Sequence, residues 1–114
     1  MSEAGLALCR LEEIPDRTGK GFTIQHGDKE IEMLVVRVGA AAYGYVNWCP
    51  HYGITLEWMK DKFVDLDGAH IQCSTHGAAF RFEDGFCVWG PCVGEALEPM
   101  PVVVSDGTVH LRKR

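Results

Sequence analysis

Short hydrophobic runs alternate with turn signals along the whole chain. Each turn signal contains a glycine, five of the six together with an aspartate, and they lie at 16–19, 26–28, 38–39, 67–68, 84–85 and 106–107. The runs between them are rich in β-branched and aromatic residues, and they lie at 21–24, 33–38, 43–46, 86–89 and 102–104. Short strands separated by frequent turns are typical of an all-β sandwich or barrel.

The clearest strand pairing is predicted near the C-terminus. Residues 102–111 centre on Asp106-Gly107, and Asp-Gly readily adopts the positive φ angles of a tight hairpin turn. Helical periodicity is weak throughout, since the best candidate, 55–60, covers only about one turn. We therefore predict an all-β fold built from antiparallel strands.

The size and composition of the chain are those of one globular domain, which we predict over residues 1–114. Apolar residues make up 46% and charged residues 24%, which excludes wholesale disorder, a coiled coil and a collagen-like repeat. No apolar run approaches the roughly 18–20 residues of a membrane span. The first residues carry Glu3 where a signal peptide has lysine or arginine, so we expect no export, no membrane anchor and a cytoplasmic location.

The net charge of −5 is unevenly distributed. Residues 112–114 contribute +3, so residues 1–111 carry −8. This acidic body disfavours nucleic acid and anionic membranes as partners and suits a basic protein surface. Solubility alone is the plainer interpretation of the same charge.

Residues 49–92 differ from the rest of the chain, because they hold four of the five cysteines and irregularly spaced prolines and glycines. We predict a loop-based site here, within a subdomain at about 47–92, carried on the β scaffold. An odd number of cysteines without an export signal argues against a disulfide framework. Metal ligation and buried thiols are the remaining uses.

Two ligand pairs stand out in this region. Cys49-Pro50-His51 and Cys73 with His76 each supply one thiolate and one imidazole, and 21 residues, 52–72, separate them. Two cysteines and two histidines can hold a tetrahedral structural zinc ion. The alternation of cysteine and histidine also lets two cysteines bind one iron and two histidines bind a second iron of a two-iron cluster.

The paired motif resembles the Rieske [2Fe–2S] motif, and Gly90-Pro91 resembles the proline loop that covers the cluster in that family. The resemblance implies a Rieske-type antiparallel β-sandwich with a small cluster-binding subdomain made of two ligand loops. It also implies a set of cofactor-binding residues. Those expected to bind iron are Cys49, His51, Cys73 and His76, and those expected to support the loops are Gly77, Gly90 and Pro91.

Within that resemblance, Cys49 and Cys73 are expected on the inner iron, and His51 and His76 on the outer iron near the surface. Electrons are then expected to enter and leave the cluster through the exposed edges of the two imidazoles. Electron transfer requires only the close approach of a partner protein.

The chain departs from high-potential members of the family. The positions of their additional disulfide are Ile54 and Ser74, and Ala78 and Phe80 stand where those members place hydroxyl groups. Hydrogen bonds to cluster sulfurs raise the potential, so their loss lowers it. We predict a low-potential cluster, near the bottom of the roughly −150 to +300 mV Rieske range.

The functional expectation is a Rieske-type ferredoxin, a one-electron carrier between a reductase and an oxygenase or other terminal oxidoreductase. It has no catalytic domain of its own and is therefore not an enzyme by itself. The alternatives are the small subunit of a larger enzyme, such as an NADH-dependent nitrite reductase, and a structural zinc-binding module.

The remaining cysteines, histidines and tryptophans are expected to be structural. Cys9 and Cys87 are predicted to be buried thiols, and Cys92 is predicted to be a small residue packed under the proline loop. The histidines without a cysteine at ligand spacing are expected on strands or at the surface: His26, His70 and His110. The tryptophans are expected in the core or at its rim: Trp48, Trp58 and Trp89.

Overall fold

The computed structural model describes residues 4–48, 64, 68–72, 78–90 and 93–112. This part of the chain forms nine strands and one short 3-10 helix, η1 (Leu11–Glu13). The strands are β1 (Ala4–Arg10), β2 (Gly19–His26), β3 (Lys29–Val38), β4 (Ala41–Val46), β5 (Ile71–Gln72), β6 (Ala79–Phe80), β7 (Cys87–Trp89), β8 (Val102–Ser105) and β9 (Thr108–Arg112). None of the segments described here is a helix of the length and hydropathy needed to cross a membrane.

The strands form three antiparallel sheets of three strands each, in the orders β1-β9-β8, β2-β3-β4 and β5-β6-β7. The all-β antiparallel prediction is therefore confirmed. The predicted hydrophobic runs coincide with strands, except that Phe86 forms only an isolated bridge before β7. The helical candidate at 55–60 lies outside the described residues.

The C-terminal hairpin has the predicted turn. Ser105 pairs with Thr108, and Asp106 and Gly107 between them have φ angles of 52° and 75°. Both central residues thus adopt the left-handed conformation of a tight two-residue hairpin. Helix η1 was not predicted, because three residues are too few to establish a periodicity.

Strand β3 is buried on both faces. Met33, Leu34, Val35 and Val36 have no solvent-accessible surface. Because successive side chains of a strand point to opposite faces, Met33 and Val35 enter one hydrophobic cluster, and Leu34 and Val36 enter the other. The first cluster is completed from the β1-β9-β8 sheet, and the second from the β5-β6-β7 sheet. The β2-β3-β4 sheet is therefore the middle of three layers.

An irregular segment joins the middle sheet to the small β5-β6-β7 sheet. We call residues 95–99 the strap. It forms antiparallel bridges from Pro99 to Tyr45 of β4 and from Ala96 to Phe86 beside β7. Since the strap runs antiparallel to both neighbours, β4 and β7 run parallel to each other. Their C-terminal ends therefore point toward the same end of the molecule.

Tyr45 holds the small sheet against β4. Its buried hydroxyl donates a hydrogen bond to the Phe82 carbonyl oxygen at 2.5 Å. A Cβ atom at Gly85, which has a φ of +70°, would lie 2.7 Å from Cε1 of the tyrosine ring. Burial, and secondarily the negative charge of Asp84, raises the pKa of the Tyr45 hydroxyl, so it keeps its proton.

We predict that Tyr45→Phe lowers the free energy of unfolding by about 1–3 kcal/mol, because the buried Phe82 carbonyl loses its donor. Urea unfolding followed by circular dichroism measures the change. Tyr43→Phe is the matched control, since that half-buried hydroxyl makes no hydrogen bond within the described part of the chain. Equal stabilities of the two variants would contradict the role assigned to Tyr45.

Candidate metal centre

The four predicted iron ligands, Cys49, His51, Cys73 and His76, lie outside the described residues. The same holds for Gly77, Pro91, Cys92, Trp58 and most of the 52–72 segment. The structure does describe the chain on which each ligand segment begins or ends, so the placement of the site follows from these flanking residues.

A short hairpin carries the second ligand pair. Gln72 of β5 pairs with Ala79 of β6, and the next pair is Ile71 with Phe80. On its other side, Ile71 forms a bridge with Val64. The segment from 73 to 78 therefore leaves and rejoins adjacent strands that are about 5 Å apart. Ile71, Ala78 and Phe80 are fully buried, which anchors the base of this segment in the hydrophobic core.

The predicted proline loop begins in contact with that hairpin. Trp89 pairs with Ala79, and the next residue, Gly90, has a φ of +95°. A Cβ atom at Gly90 would lie only 2.8 Å from Cα of Ala78. The absence of a side chain thus lets the start of the proline loop pack against the chain one residue after Gly77, as the predicted support role requires.

The first ligand pair follows the end of β4. The Val46 amide donates a hydrogen bond to the Glu98 carbonyl oxygen at 2.8 Å, and the Asn47 amide donates to the Glu32 carbonyl oxygen at 2.8 Å. The Trp48 amide then donates to the Val46 carbonyl oxygen at 2.9 Å, which turns the chain just before Cys49. The start of this ligand segment is therefore held by β3 and by the strap.

The three flanks lie toward the same end of the molecule. The parallel directions of β4 and β7 bring Trp48 and Gly90 to the same end, and Gly90 contacts the base of the second ligand segment. The thiolates and imidazoles expected from these segments are suitable donors for a two-iron cluster. Within the ranges described, no other group of three histidine, cysteine or acidic side chains could hold a metal ion.

Cys87 is a buried free thiol, as predicted, and its sulfur donates a hydrogen bond to the Trp89 carbonyl oxygen at 3.2 Å. Cys9 is also a free thiol, as predicted, but it is only half-buried, so the predicted full burial was wrong. It lies on β1, an edge strand whose pairing with β9 is irregular at this point. Burial, assisted by the negative charge of Glu13, raises the pKa of this thiol, and Lys20 opposes the shift.

The aromatic residues near the site are at the surface. Trp48 and Trp89 are exposed, so they belong to the rim and not to the core. His110 lies on β9 with its ring against the Gly5 carbonyl oxygen, and His70 is half-buried. The sequence did not distinguish core from rim for Trp89, because the run at 86–89 is apolar at every position and does not mark its outer face.

Residues 5–106 match the family model of the Rieske [2Fe-2S] domain. No curated protein matches the chain.

Three solved structures illustrate the likeness in fold. The first is a complex of reduced oxygenase and oxidized ferredoxin in carbazole 1,9a-dioxygenase, with a TM-score of 0.73, 24% identity, and coverage of 97% of this chain and 94% of that chain. The second is the ferredoxin of carbazole 1,9a-dioxygenase from Nocardioides aromaticivorans IC177, with a TM-score of 0.72, 22% identity, and coverage of 99% of this chain and 100% of that chain. The third is the Sphingomonas yanoikuyae B1 ferredoxin, with a TM-score of 0.69, 24% identity, and coverage of 96% of this chain and 98% of that chain. At these identities the likeness establishes the fold.

We predict that Gly90→Ala lowers the iron and sulfide content of the purified protein severalfold, because the new Cβ displaces Ala78 and the ligand segment that ends there. Iron and acid-labile sulfide per chain measure the effect. Gly94→Ala is the matched control, since Gly94 has a similar φ of +98° but nothing within 4 Å of the added Cβ. If both variants lose the same amount of iron, backbone strain and not the contact with Ala78 is responsible.

Proposed function

The chain belongs to the Rieske [2Fe–2S] domain family, and we propose that it is a one-electron carrier of the ferredoxin type, passing electrons from a reductase to a terminal oxygenase. The observation that carries the proposal is the match to the Rieske [2Fe-2S] domain model over residues 5–106. One of the similar structures is a complex between an oxygenase and a ferredoxin, and this supports an oxygenase as the acceptor.

A bound [2Fe–2S] cluster supplies one-electron oxidation and reduction. We propose Cys49 and Cys73 as ligands of the inner iron, and His51 and His76 as ligands of the outer iron. The described flanks support this assignment, because they direct both ligand segments and the Gly90-Pro91 loop to one end of the molecule. The protein's own contribution is to hold the flanks of these segments on hydrogen-bonded strands.

The environment of the second ligand segment supports a low midpoint potential. Ala78 and Phe80 are fully buried where that segment rejoins the sheet, and neither carries a hydroxyl group. A hydrogen bond from a hydroxyl to a cluster sulfur would stabilise the reduced state and raise the potential. These two residues therefore favour a low-potential carrier.

The cytoplasm is the proposed location, and residues 1–114 are proposed to be a single domain. The free thiols of Cys9 and Cys87 suit a reducing compartment. The three sheets share the two hydrophobic clusters that meet at β3, which supports a single folding unit. A subunit of nitrite reductase is less favoured, since the similar structures include ferredoxins.

We expect His51→Ala and Cys49→Ser each to abolish the visible absorption of the purified protein and the EPR signal of its dithionite-reduced form. Loss of one ligand leaves an iron atom without its fourth protein or sulfide donor. Cys9→Ser is the control and is expected to retain both signals, because Cys9 lies on β1, in a different sheet from the flanks of the site. A colourless wild-type protein that contains zinc would overturn the proposed function.

The midpoint potential is expected near the bottom of the Rieske range of roughly −150 to +300 mV. Spectroelectrochemical titration measures it. Ala78→Ser places a hydroxyl beside the second ligand segment and is expected to raise the potential if that hydroxyl reaches a cluster sulfur. A wild-type value above about +100 mV on that scale would contradict the low-potential assignment.

A further inference from the structure

Exposed hydrophobic side chains are concentrated at the end of the molecule that carries the ligand segments. Trp89 is 69% exposed, Val93 is 62% exposed and Trp48 is 52% exposed. Val88 is also exposed, and the amide of Val93 donates a hydrogen bond to the Gly90 carbonyl oxygen at 3.3 Å, which keeps Val93 beside this turn. Tryptophans exposed to this degree are unusual on a monomer surface and frequently anchor protein interfaces.

The two tryptophans are held at this end by the main chain. Trp89 is fixed by its pairing with Ala79, and Trp48 by its amide hydrogen bond to Val46. Each lies two residues beyond a contact with the strap, because the Cys87 and Val46 amides donate to the Glu95 and Glu98 carbonyl oxygens, both at 2.8 Å. The strap therefore lies between the strands that lead to the two aromatic side chains.

The same region is acidic. The strap carries the exposed side chains of Glu95 and Glu98, and Glu32 is exposed where its carbonyl oxygen accepts the Asn47 amide. Residues 38–59 and 82–111, which contain both tryptophans, include no lysine or arginine. Arg81 borders the second range, but it forms an ion pair with Asp84 in the turn at the opposite end of the β6–β7 hairpin. Apart from histidine, aspartate and glutamate are therefore the only ionisable charged side chains within these two ranges of the sequence.

We propose that Trp48, Trp89 and the strap carboxylates of Glu95 and Glu98 form the docking face for a redox partner protein. The matching partner surface has an apolar depression for the tryptophans, bordered by lysine or arginine. The inference rests on the proposed function, since docking at this face brings a partner to the end of the molecule where the cluster ligands are expected.

The two kinds of side chain have different tasks on this face. The carboxylates attract a basic partner over a distance of about one Debye length, so they raise the association rate at low salt. The tryptophans act only in contact, where they displace water from a small area and slow dissociation. Electron-transfer encounters bury less than about 1,200 Å², so two aromatic anchors are a large part of such an interface.

The test uses cytochrome c, a basic haem protein, as the electron acceptor. Purified protein is reduced, freed of reductant under anaerobic conditions and mixed with oxidised cytochrome c in a stopped-flow instrument. The second-order rate constant is recorded as a function of ionic strength. Midpoint potentials and iron contents of all variants are measured first, so that differences in rate report docking and not driving force or cluster loss.

The wild-type rate is expected to fall as salt is added. The double substitution Glu95→Gln with Glu98→Gln is expected to lower the rate about tenfold at low ionic strength and to flatten its salt dependence. Trp89→Ala is expected to lower the rate about threefold or more at every ionic strength, because it removes a contact and not a charge.

Two control variants make the same chemical changes elsewhere. Asp106→Asn removes a carboxylate near the opposite end of β3. There the Gly107 carbonyl oxygen accepts a hydrogen bond from the Leu11 amide, and the Leu11 carbonyl oxygen accepts one from the guanidinium of Arg37 on β3. Asparagine tolerates the positive φ of that turn. Leu6→Ala truncates a comparably exposed apolar side chain on β1, in a different sheet. Both controls are expected to match the wild type.

Failure of the docking face is distinguishable from failure of the proposed function. If the protein holds a reducible cluster and reduces cytochrome c, but Trp89→Ala and the double glutamine variant behave as the controls do, the docking face is wrong and the carrier function stands. A wild-type rate that rises with salt also overturns the docking face. A protein without a reducible cluster overturns the proposed function itself, before any rate is measured.

Discussion

The burial of β3 on both faces is the constraint on which the rest of the structure depends. Met33 and Val35 fill the cluster shared with the C-terminal hairpin, and Leu34 and Val36 fill the cluster shared with the small sheet. Full burial of an aliphatic side chain contributes about 1.5–3 kcal/mol, so four consecutive buried residues outweigh any single surface contact. A one-residue slip of β3 would exchange the two sets and misfit both layers at once.

The register of β3 also sets the position of the functional end. Met33 pairs with Val46, so β4 ends beside the first part of β3, and the Glu32 carbonyl oxygen is left to accept the Asn47 amide. The strap pairs antiparallel with β4 and with the residue that precedes β7, so β4 and β7 run in the same direction. Gly90 completes the arrangement, because its missing side chain lets the β7 end touch the base of the second ligand segment. The register of the central strand β3 and the contact of Gly90 with Ala78 therefore both act on the position of the ligand segments.

The parts of the fold that the sequence predicts are those with a strong local signal. Asp106-Gly107 specifies its hairpin through backbone conformation, and the apolar run at 33–38 specifies a buried strand. The strap carries no such signal, since Glu95, Ala96 and Pro99 are poor strand residues and its bridges are set by tertiary packing. Strands β5 and β6 have two residues each, too few for a period. The ligand spacing predicts the cofactor, but the exposure of Trp89 depends on which neighbours cover β7.

The two exposed tryptophans are held in place by the hydrogen bonds of their main chain. The hydrogen bonds that position Trp48 and Trp89 are made by the main chain, and their side chains are 52% and 69% exposed. Their exposure is an unfavourable contact with water that a partner relieves on docking. Mutual repulsion between the strap carboxylates of two copies opposes self-association through this surface. The same charges that favour a basic partner thus also disfavour a second copy of this chain.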